Sequence, residues 1–283
     1  MNIGIVGLGL IGGSLGRAIV SKTNHVVYAF DKDDSAMKLG ELIKAFHKPL
    51  TKENLKEIDV FIVALYQGTI LKVLPEYLNG LKNGAIVMDI AGNKRTICNF
   101  MQNVLKDYPH LEFISSHPMA GREFSGIKHS TNTLFERASM ILVPIKADIR
   151  TLAIVKELAL KIGFNKVVIT TAEEHDKIIA FTSQLAHVIS SSYIKSPTAE
   201  GFLGFSAGSF RDMTRVARLS PNMWAELMLD NKDNLVHEID YLIKNLTDYK
   251  TALENGDEDA LYSLLEDGNK RKLEFEKKKN KEK

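Results

Sequence analysis

A chain of 283 residues, 45% hydrophobic and 25% charged, has the make-up of one large or two ordinary globular domains, which excludes a disordered or fibrous protein. The formal charge of +2 is uneven: residues 270–283 carry eight Lys/Arg against three Glu, a net of +5, so the remainder sums to about −3, which excludes a nucleic-acid-binding body. One cysteine, Cys98, excludes an intramolecular disulfide, and the absence of a basic-apolar leader or a run of about 18 apolar residues makes a cytoplasmic protein without a membrane partner the expectation.

Residues 2–6 (NIGIV) read as a short buried strand, and Gly7-Leu8-Gly9-Leu10-Ile11-Gly12 follows at once, before a helix over 13–22. This is G-x-G-x-x-G in its strand–turn–helix setting. Gly7 serves the tight turn, Gly9 admits a pyrophosphate to the backbone, and Gly12 packs the helix on the strand. The helix N-terminus offers free N–H groups to the phosphates. A second strand, 25–30, ends in Asp31, 19 residues beyond Gly12. A carboxylate there accepts from the adenosine ribose hydroxyls and repels a 2′-phosphate, with Lys32 beside it softening that repulsion, so NAD rather than NADP is the expected cofactor. Alternation continues with helices over 35–45, 69–78 and 95–106 and strands over 59–65, 85–90 and 113–116. A strand over 139–143, a helix over 151–162 and a strand over 166–169 close the half. The pattern predicts an α/β domain over 1–169, a doubly wound, Rossmann-type parallel sheet with right-handed crossovers.

His117 stands where the strand over 113–116 gives way to a loop, directly before Pro118, which disfavours helix for the residue preceding it. Strand ends of an open α/β sheet are where ligands sit. On the local sequence alone the histidine reads first as a structural loop residue, and the rest of the chain shifts that reading.

From 170 to 283 only helical patterns follow, broken at 197–208 and at Ser220-Pro221. One helix over 173–195 carries His175 and His187, 12 positions apart, which a straight helix points about 120° apart. They are therefore not expected to share a site, whereas Gln184 and His187 are. Ser220 is a good N-cap with Pro221 at the first helical position. The helix from 222 to about 253 places Met228, Leu235, Ile239, Leu242, Leu246, Tyr249 and Leu253 in one seam, longer than a small domain needs for its own core. That seam reads as subunit packing, hence a homodimer through the C-terminal helices, with internal packing as the other reading.

Three clusters can face a cleft between the halves: His117 with Arg122 and Glu123, Gln184 with His187, and the arginines 211, 215 and 218. The arginines fall on one helical face, Asp212 can orient Arg215, and guanidinium forks bind carboxylates, so an anionic substrate is the natural partner. The eight histidines are scattered and no metal-ligand spacing is legible.

The ordered motifs GLGLIGGSLG at 7–16, DIAGNK at 89–94, SSHPMAGRE at 115–123, EEHDKIIAFTSQLAHVI at 173–189 and FRDMTRVARLSPNMW at 210–224 resemble the prephenate/arogenate dehydrogenase family over nearly the whole chain. The resemblance implies a dinucleotide domain followed by a helical dimerisation domain, and NAD-dependent oxidative decarboxylation of prephenate to 4-hydroxyphenylpyruvate. It makes His117 the base that accepts the substrate 4-hydroxyl proton and Arg215 the carboxylate ligand. His187 becomes a substrate contact, and Glu123 a residue that tunes His117 or closes the entrance. Gln184 joins the substrate set. Ala64 and Leu65, where many relatives carry a nearby proline, form the wall of the cofactor site. Many relatives also have a serine at the position of Gly92, which helps hold the catalytic histidine. Asn93, Lys94, Ser115 and Ser116 are the candidates to replace it, and Ser116 is grouped with His117 and Glu123 as catalytic. Arogenate remains the alternative substrate, and an NAD-sensing regulator without turnover the reading from another class. A β-hydroxyacid dehydrogenase or imine reductase of similar architecture would usually need a lysine base on the interdomain helix, and 175–195 offers no clear one.

Overall fold

The computed structural model describes residues 1–122, 124–201, 204–205 and 208–281, with side chains as far as 278. The chain opens with β1 (Asn2–Val6), α1 (Leu10–Lys22), β2 (Val26–Phe30), α2 (Asp34–Leu42) and a short β3 (Lys48–Pro49). β4 (Val60–Val63), α3 (Gln67–Val73), α4 (Pro75–Leu78), β5 (Ile86–Asp89), α5 (Arg95–Val104) and β6 (Glu112–Pro118) follow. β7 (Ser139–Lys146), α6 (Ile149–Lys161) and β8 (Lys166–Ile169) complete an eight-stranded sheet in the order β3-β2-β1-β4-β5-β6-β7-β8.

The strand neighbours are parallel, as the alternating pattern predicts, with one correction: β6 and β7 run antiparallel. Between them the described residues form no crossover helix, only a 3₁₀ turn at Ile127–His129, so the chain doubles back beside β6. β6 also reaches past the expected 113–116, and His117 is paired opposite Ile141 of β7. Its backbone is thus held by the sheet and does not lie in a loop.

Side-chain alternation splits the core into two layers. Phe61, Val63, Val87 and Phe113 face Ile70, Leu74, Leu78, Ile97 and Met101 of α3, α4 and α5. Val60, Ile62, Met88 and Ile114 face Leu15, Ala18 and Ile19 of α1 and Val155 and Leu158 of α6. Strands β1, β4, β5 and β6 all end on the same edge, which places Gly7, Ala64, Asp89 and His117 along one rim of the sheet.

After β8 come α7 (Ala172–Ile179), a π-helical stretch (Ala180–Leu185), α8 (Ala186–Tyr193), α9 (Gly208–Thr214) and α10 (Pro221–Asp230), then α11 (Lys232–Asn255) and α12 (Glu258–Lys281). Thr171 caps α7 by accepting from Glu174 N–H, and two acidic residues complement its first turn. Ser220 takes the N-cap position of α10 with Pro221 behind it, but its side chain makes no capping bond. The helix expected from 222 to 253 is interrupted at Asn231, whose side chain is fully buried in polar contacts. The chain divides into two compact units, Met1–Asn231 and Lys232–Lys283. The sheet ends at Ile169, where the sequence pattern changes, while the helices through Asp230 belong to the same unit as the sheet.

In the second unit α11 and α12 pack on one another. Leu246, Leu253, Tyr262, Leu265 and Phe275 are each more than half exposed there. No helix among the described residues is long and apolar enough to cross a membrane.

Gly12 is the tightest point between α1 and the β1 turn: a Cβ on it would lie 1.9 Å from the Gly7 carbonyl oxygen and 2.9 Å from Ala64 Cβ. Backbone cannot retreat as a flexible side chain can, so Gly12→Ala is expected to destabilise the fold by about 1–3 kcal/mol, the usual cost of overpacking. Urea denaturation reads this directly, and an unchanged midpoint would mean that α1 is not seated on β1 as described.

Candidate active site

The glycine turn is built at the end of β1. Gly7 has φ +97, the left-handed region, and donates its N–H to Phe30 O at 2.8 Å. Leu8 N–H donates to Asp31 Oδ2 at 2.6 Å, and Asp33 N–H to Asp31 Oδ1 at 2.9 Å, so the carboxylate at the end of β2 is pinned beside the turn. Ala64 and Leu65 are the nearest neighbours of the Gly7 α-carbon face. The expected cofactor residues Gly7, Leu8, Gly9, Gly12, Asp31, Ala64 and Leu65 are therefore brought together; Leu10 and Ile11 begin α1, and Lys32 is exposed. A Cβ on Gly9 would meet nothing within 4 Å, and no side chain caps the first turn of α1. The open side of Gly9 and the uncapped N–H groups fit a dinucleotide diphosphate.

Further along the rim, α5, β6 and α7 converge. His117 Nδ1 lies 2.9 Å from His175 Nε2, and His175 Nδ1 lies 2.7 Å from Asp176 Oδ1. Asp176 is fully buried and also accepts from the backbone N–H of Lys94 at 2.7 Å, the N–H of Arg95 at 2.9 Å and Arg95 Nε at 3.3 Å. It therefore caps α5 from the other half of the sequence. Burial alone would raise its carboxyl, but the bonds from His175, Arg95 and Lys94 hold it below the usual carboxylate range.

An ionised Asp176 only accepts, which fixes the tautomers of both rings. His175 carries its proton on Nδ1 and accepts at Nε2; His117 then donates from Nδ1 and keeps a free lone pair on Nε2. Burial, the neighbouring His175 and the Lys94 ammonium push His117 well below the ordinary imidazole value. Burial also lowers His175, against the opposing pull of Asp176. Both rings are neutral at neutral pH.

His187, at the start of α8, packs on Trp224 of α10 with ring centroids 3.8 Å apart, and its Nδ1 donates to Ser183 O at 2.9 Å. Its pKa is lowered by burial, with the Ser183 bond opposing and the Arg215 cation adding to the shift.

Several expected roles move. Ser116 is fully buried and its hydroxyl donates to the Asp89 carbonyl, so it ties β6 to β5 and does not face a substrate. Gln184 is also buried: its Nε2 donates to Asn93 Oδ1 at 3.1 Å and its Oε1 accepts from Asn231 Nδ2 at 2.9 Å. Its partners are Asn93, Leu227 and Asn231, whereas His187 packs on Trp224 and bonds to Ser183, so the two side chains are engaged with different groups. α9 ends at Thr214, so Arg215 sits in the following turn, Arg218 lies beyond it, 5.5 Å from the Phe124 ring centroid, and the three arginines do not line one helical face. Glu123 lies outside the described residues.

His175 is the residue that sequence reasoning placed at no site. Its signal was the adjacent His175-Asp176 pair in an otherwise amphipathic helix start, two polar residues that the burial pattern turns inward. At Gly92, Leu227 Cδ2 would be 3.1 Å from a Cβ, so α10 covers the position where a serine was expected. Among the described residues no group of three or more His, Cys, Asp or Glu could hold a metal.

Known proteins place this architecture. The model of the prephenate dehydrogenase nucleotide-binding domain matches residues 15–169, and that of the prephenate dehydrogenase dimerization domain matches 171–267. Prephenate dehydrogenase of Bacillus subtilis is 31% identical over 272 residues, covering 91% of this chain and 71% of that protein. Cyclohexadienyl dehydrogenase of Zymomonas mobilis is 29% identical over 286 residues, covering 96% and 95%. Among solved structures, arogenate dehydrogenase of Synechocystis superposes with a TM-score of 0.81 at 24% identity, covering 97% of this chain and 100% of that one, which shows a shared fold. With both domain models matched in order and a relative above 30% identity, the chain belongs to the prephenate dehydrogenase family.

Proposed function

We propose that the chain is an NAD-dependent dehydrogenase that converts prephenate to 4-hydroxyphenylpyruvate, with His117 as the base. The observation that carries this reading is the hydrogen-bonded series Asp176–His175–His117, which leaves an unprotonated Nε2 on a ring at the rim of the sheet. NAD held at the Gly7–Gly12 turn supplies the hydride acceptor. His117 takes the C4 hydroxyl proton as the C4 hydride departs, giving a ring ketone. Loss of the ring carboxylate as CO₂ then leaves a phenolate, and the imidazolium returns the proton to it. The proton balance closes on His117, and aromatisation drives the step.

His175 is a positioning residue in this scheme: its Nε2 accepts from His117 and shares the charge that the proton brings, while Asp176 prevents the wrong tautomer. Arg215, whose charge is felt at His187, is the substrate-carboxylate ligand, with His187 and Trp224 forming the wall beside it. The exposed apolar side chains of α11 and α12 are the homodimer face. Light scattering is expected to give a dimer mass, and Leu246→Lys combined with Leu253→Lys to shift it towards monomer.

The direct assay follows NADH formation with prephenate and with arogenate, each with NAD and NADP; turnover is expected with prephenate and NAD, and silence in all four would remove the reading. His117→Asn is expected to lower kcat by about 10²–10⁴ with KM little changed, the share of a general base. Turnover kept at the wild-type level would take His117 out of the chemistry.

The pH dependence has a definite sign. The His117 pKa in the folded protein is well below that of the unfolded chain, about 6.5, so between the two the unfolded state binds more protons. Stability attributable to this ring is present above pH ~6.5 and is lost as pH falls towards the folded value. The acid limb of kcat/KM should therefore lie below pH 6.5. A limb at or above that value would contradict a buried neutral base.

A further inference from the structure

Lys94 and Asp89 form an ion pair whose two side chains are fully buried behind His117, and nothing in the proton transfer above uses it. Lys94 precedes α5, while Asp89 is the last residue of β5. The ammonium donates to Asp89 Oδ1 at 2.7 Å, to Ser115 Oγ at 2.9 Å and to the Ser116 carbonyl oxygen at 2.7 Å. An ammonium has three protons, so every donor is spent. Lys94 is thereby excluded as a substrate ligand and as an acid or base. Asp89 is equally engaged, accepting from Ala91 N–H at 2.8 Å and from the Ser115 hydroxyl.

Two consequences follow from this placement. The Ser116 carbonyl belongs to the peptide that leads into His117, so Lys94 fixes the backbone from which the imidazole projects. The lysine side chain is also locked, and its charge cannot swing away when the site changes state. Among the described residues, the charged and titratable groups around the imidazole pair are Lys94 at the head of α5, the buried thiol of Cys98 on α5, Asp89 on β5, and Asp176 on α7 with its partner Arg95. Asp176 is turned to His175 and to the start of α5. Ile141, opposite His117 on β7, is uncharged.

We propose, resting on the role given to His117 above, that Lys94 is a positioning residue that fixes the His117 backbone and, as a permanently locked cation, opposes protonation of the imidazole pair in the free protein, so that His117 stays a base in mildly acidic conditions. Burial is the first cause that disfavours a proton on either ring; the Lys94 charge adds to it at His117, behind the neighbouring His175, and at His175 it is opposed by Asp176 and Asp89.

The test uses ¹⁵N-histidine NMR titration of the full-length protein together with the pH profile of kcat/KM. In the wild type His117 should remain neutral below pH 6.5; protonation at or above that value overturns the proposal. Asp89→Asn combined with Lys94→Gln removes both charges and retains hydrogen-bonding groups. In this variant the His117 midpoint and the acid limb should rise together by about one pH unit or more, the usual effect of a close charge. Midpoint and limb left at wild-type values would overturn it. If that variant does not fold, Lys94→Arg decides: keeping the cation should keep the low midpoint while kcat falls through the altered fit, whereas a rise of about one unit would show that the charge is not what holds it. The NMR arm needs no substrate. A wild-type protein silent towards prephenate and arogenate would sink the enzymatic reading without deciding the role of Lys94.

Discussion

A carboxylate sealed in the interior has to be answered on each of its lone pairs or it will unfold its surroundings, and Asp176 is such a group. Its answers come from two elements that are far apart in sequence. The backbone N–H groups of Lys94 and Arg95 and the Arg95 guanidinium approach from the head of α5, and the His175 ring approaches from its own helix. The first turn of α5 lacks partners of its own, as every helix start does, and its partial positive charge favours an anion there. One side chain therefore closes the end of a sheet-domain helix, anchors α7 to the sheet and fixes a histidine tautomer. Asn231 extends the same lattice, donating to the Asp176 carbonyl and to Gln184 and accepting from Arg95. The break between α10 and α11 is thus a polar junction, which accounts for an interruption that the hydrophobic seam gave no reason to expect.

The buried charges around this junction are paired locally. Asp89 answers Lys94, and Asp176 answers Arg95, within hydrogen-bonding distance in each case. Buried ion pairs are poor stabilisers, since desolvation consumes most of the Coulomb gain, but removing one partner is severe. Their value lies in geometry. Among the described residues, these charges are committed to partners, and the lowered pKa values of His117 and His175 leave two neutral rings between them.

The fold was legible where physics is local. Period-two alternation in β4, β5 and β6 put Phe61, Val63, Val87 and Phe113 on one face, and the glycine spacing at 7, 9 and 12 required a turn entering a helix. Asp31 was found because it follows a strand whose end could be read, and His117 because Pro118 marks the end of β6, although that strand continues through the histidine. The losses were non-local. The direction of β7 depends on what 119–138 does in space, and no residue pattern there distinguishes a return from a crossover. The angle given for His175 and His187 assumed a regular helix and is altered by the π-helical stretch at Ala180–Leu185, although the two still have different partners, His117 and Asp176 for one and Trp224 and Ser183 for the other. Ser116 and Gln184 look functional in a string of letters because polar residues near a motif usually are. Here Ser116 is consumed by the Asp89 carbonyl, and Gln184 by Asn93 and Asn231. Only the partner list separates a site residue from a satisfied core residue.

Gly92 shows how one small residue redistributes the support of a site. The family resemblance led to a serine there, on the β5–α5 turn. Glycine instead lets Leu227 of α10 approach to 3.1 Å of where a Cβ would stand, while neighbouring Asn93 donates to the Leu227 carbonyl at 2.8 Å and to Asp230 at 2.9 Å. A serine Cβ there would meet the end of the Leu227 side chain, which would have to give by a few tenths of an ångström. The ring of His117 is held from the α7 side, by His175, and that side is tied through Asp176 to the same α5 head on which α10 rests. Support through a second imidazole differs chemically from support by a hydroxyl: a histidine backed by a carboxylate can share a proton's charge, whereas a serine can only orient its neighbour. In this chain the His117 ring is therefore backed by a group that can share charge, while α10 packs over the Gly92 turn beside it.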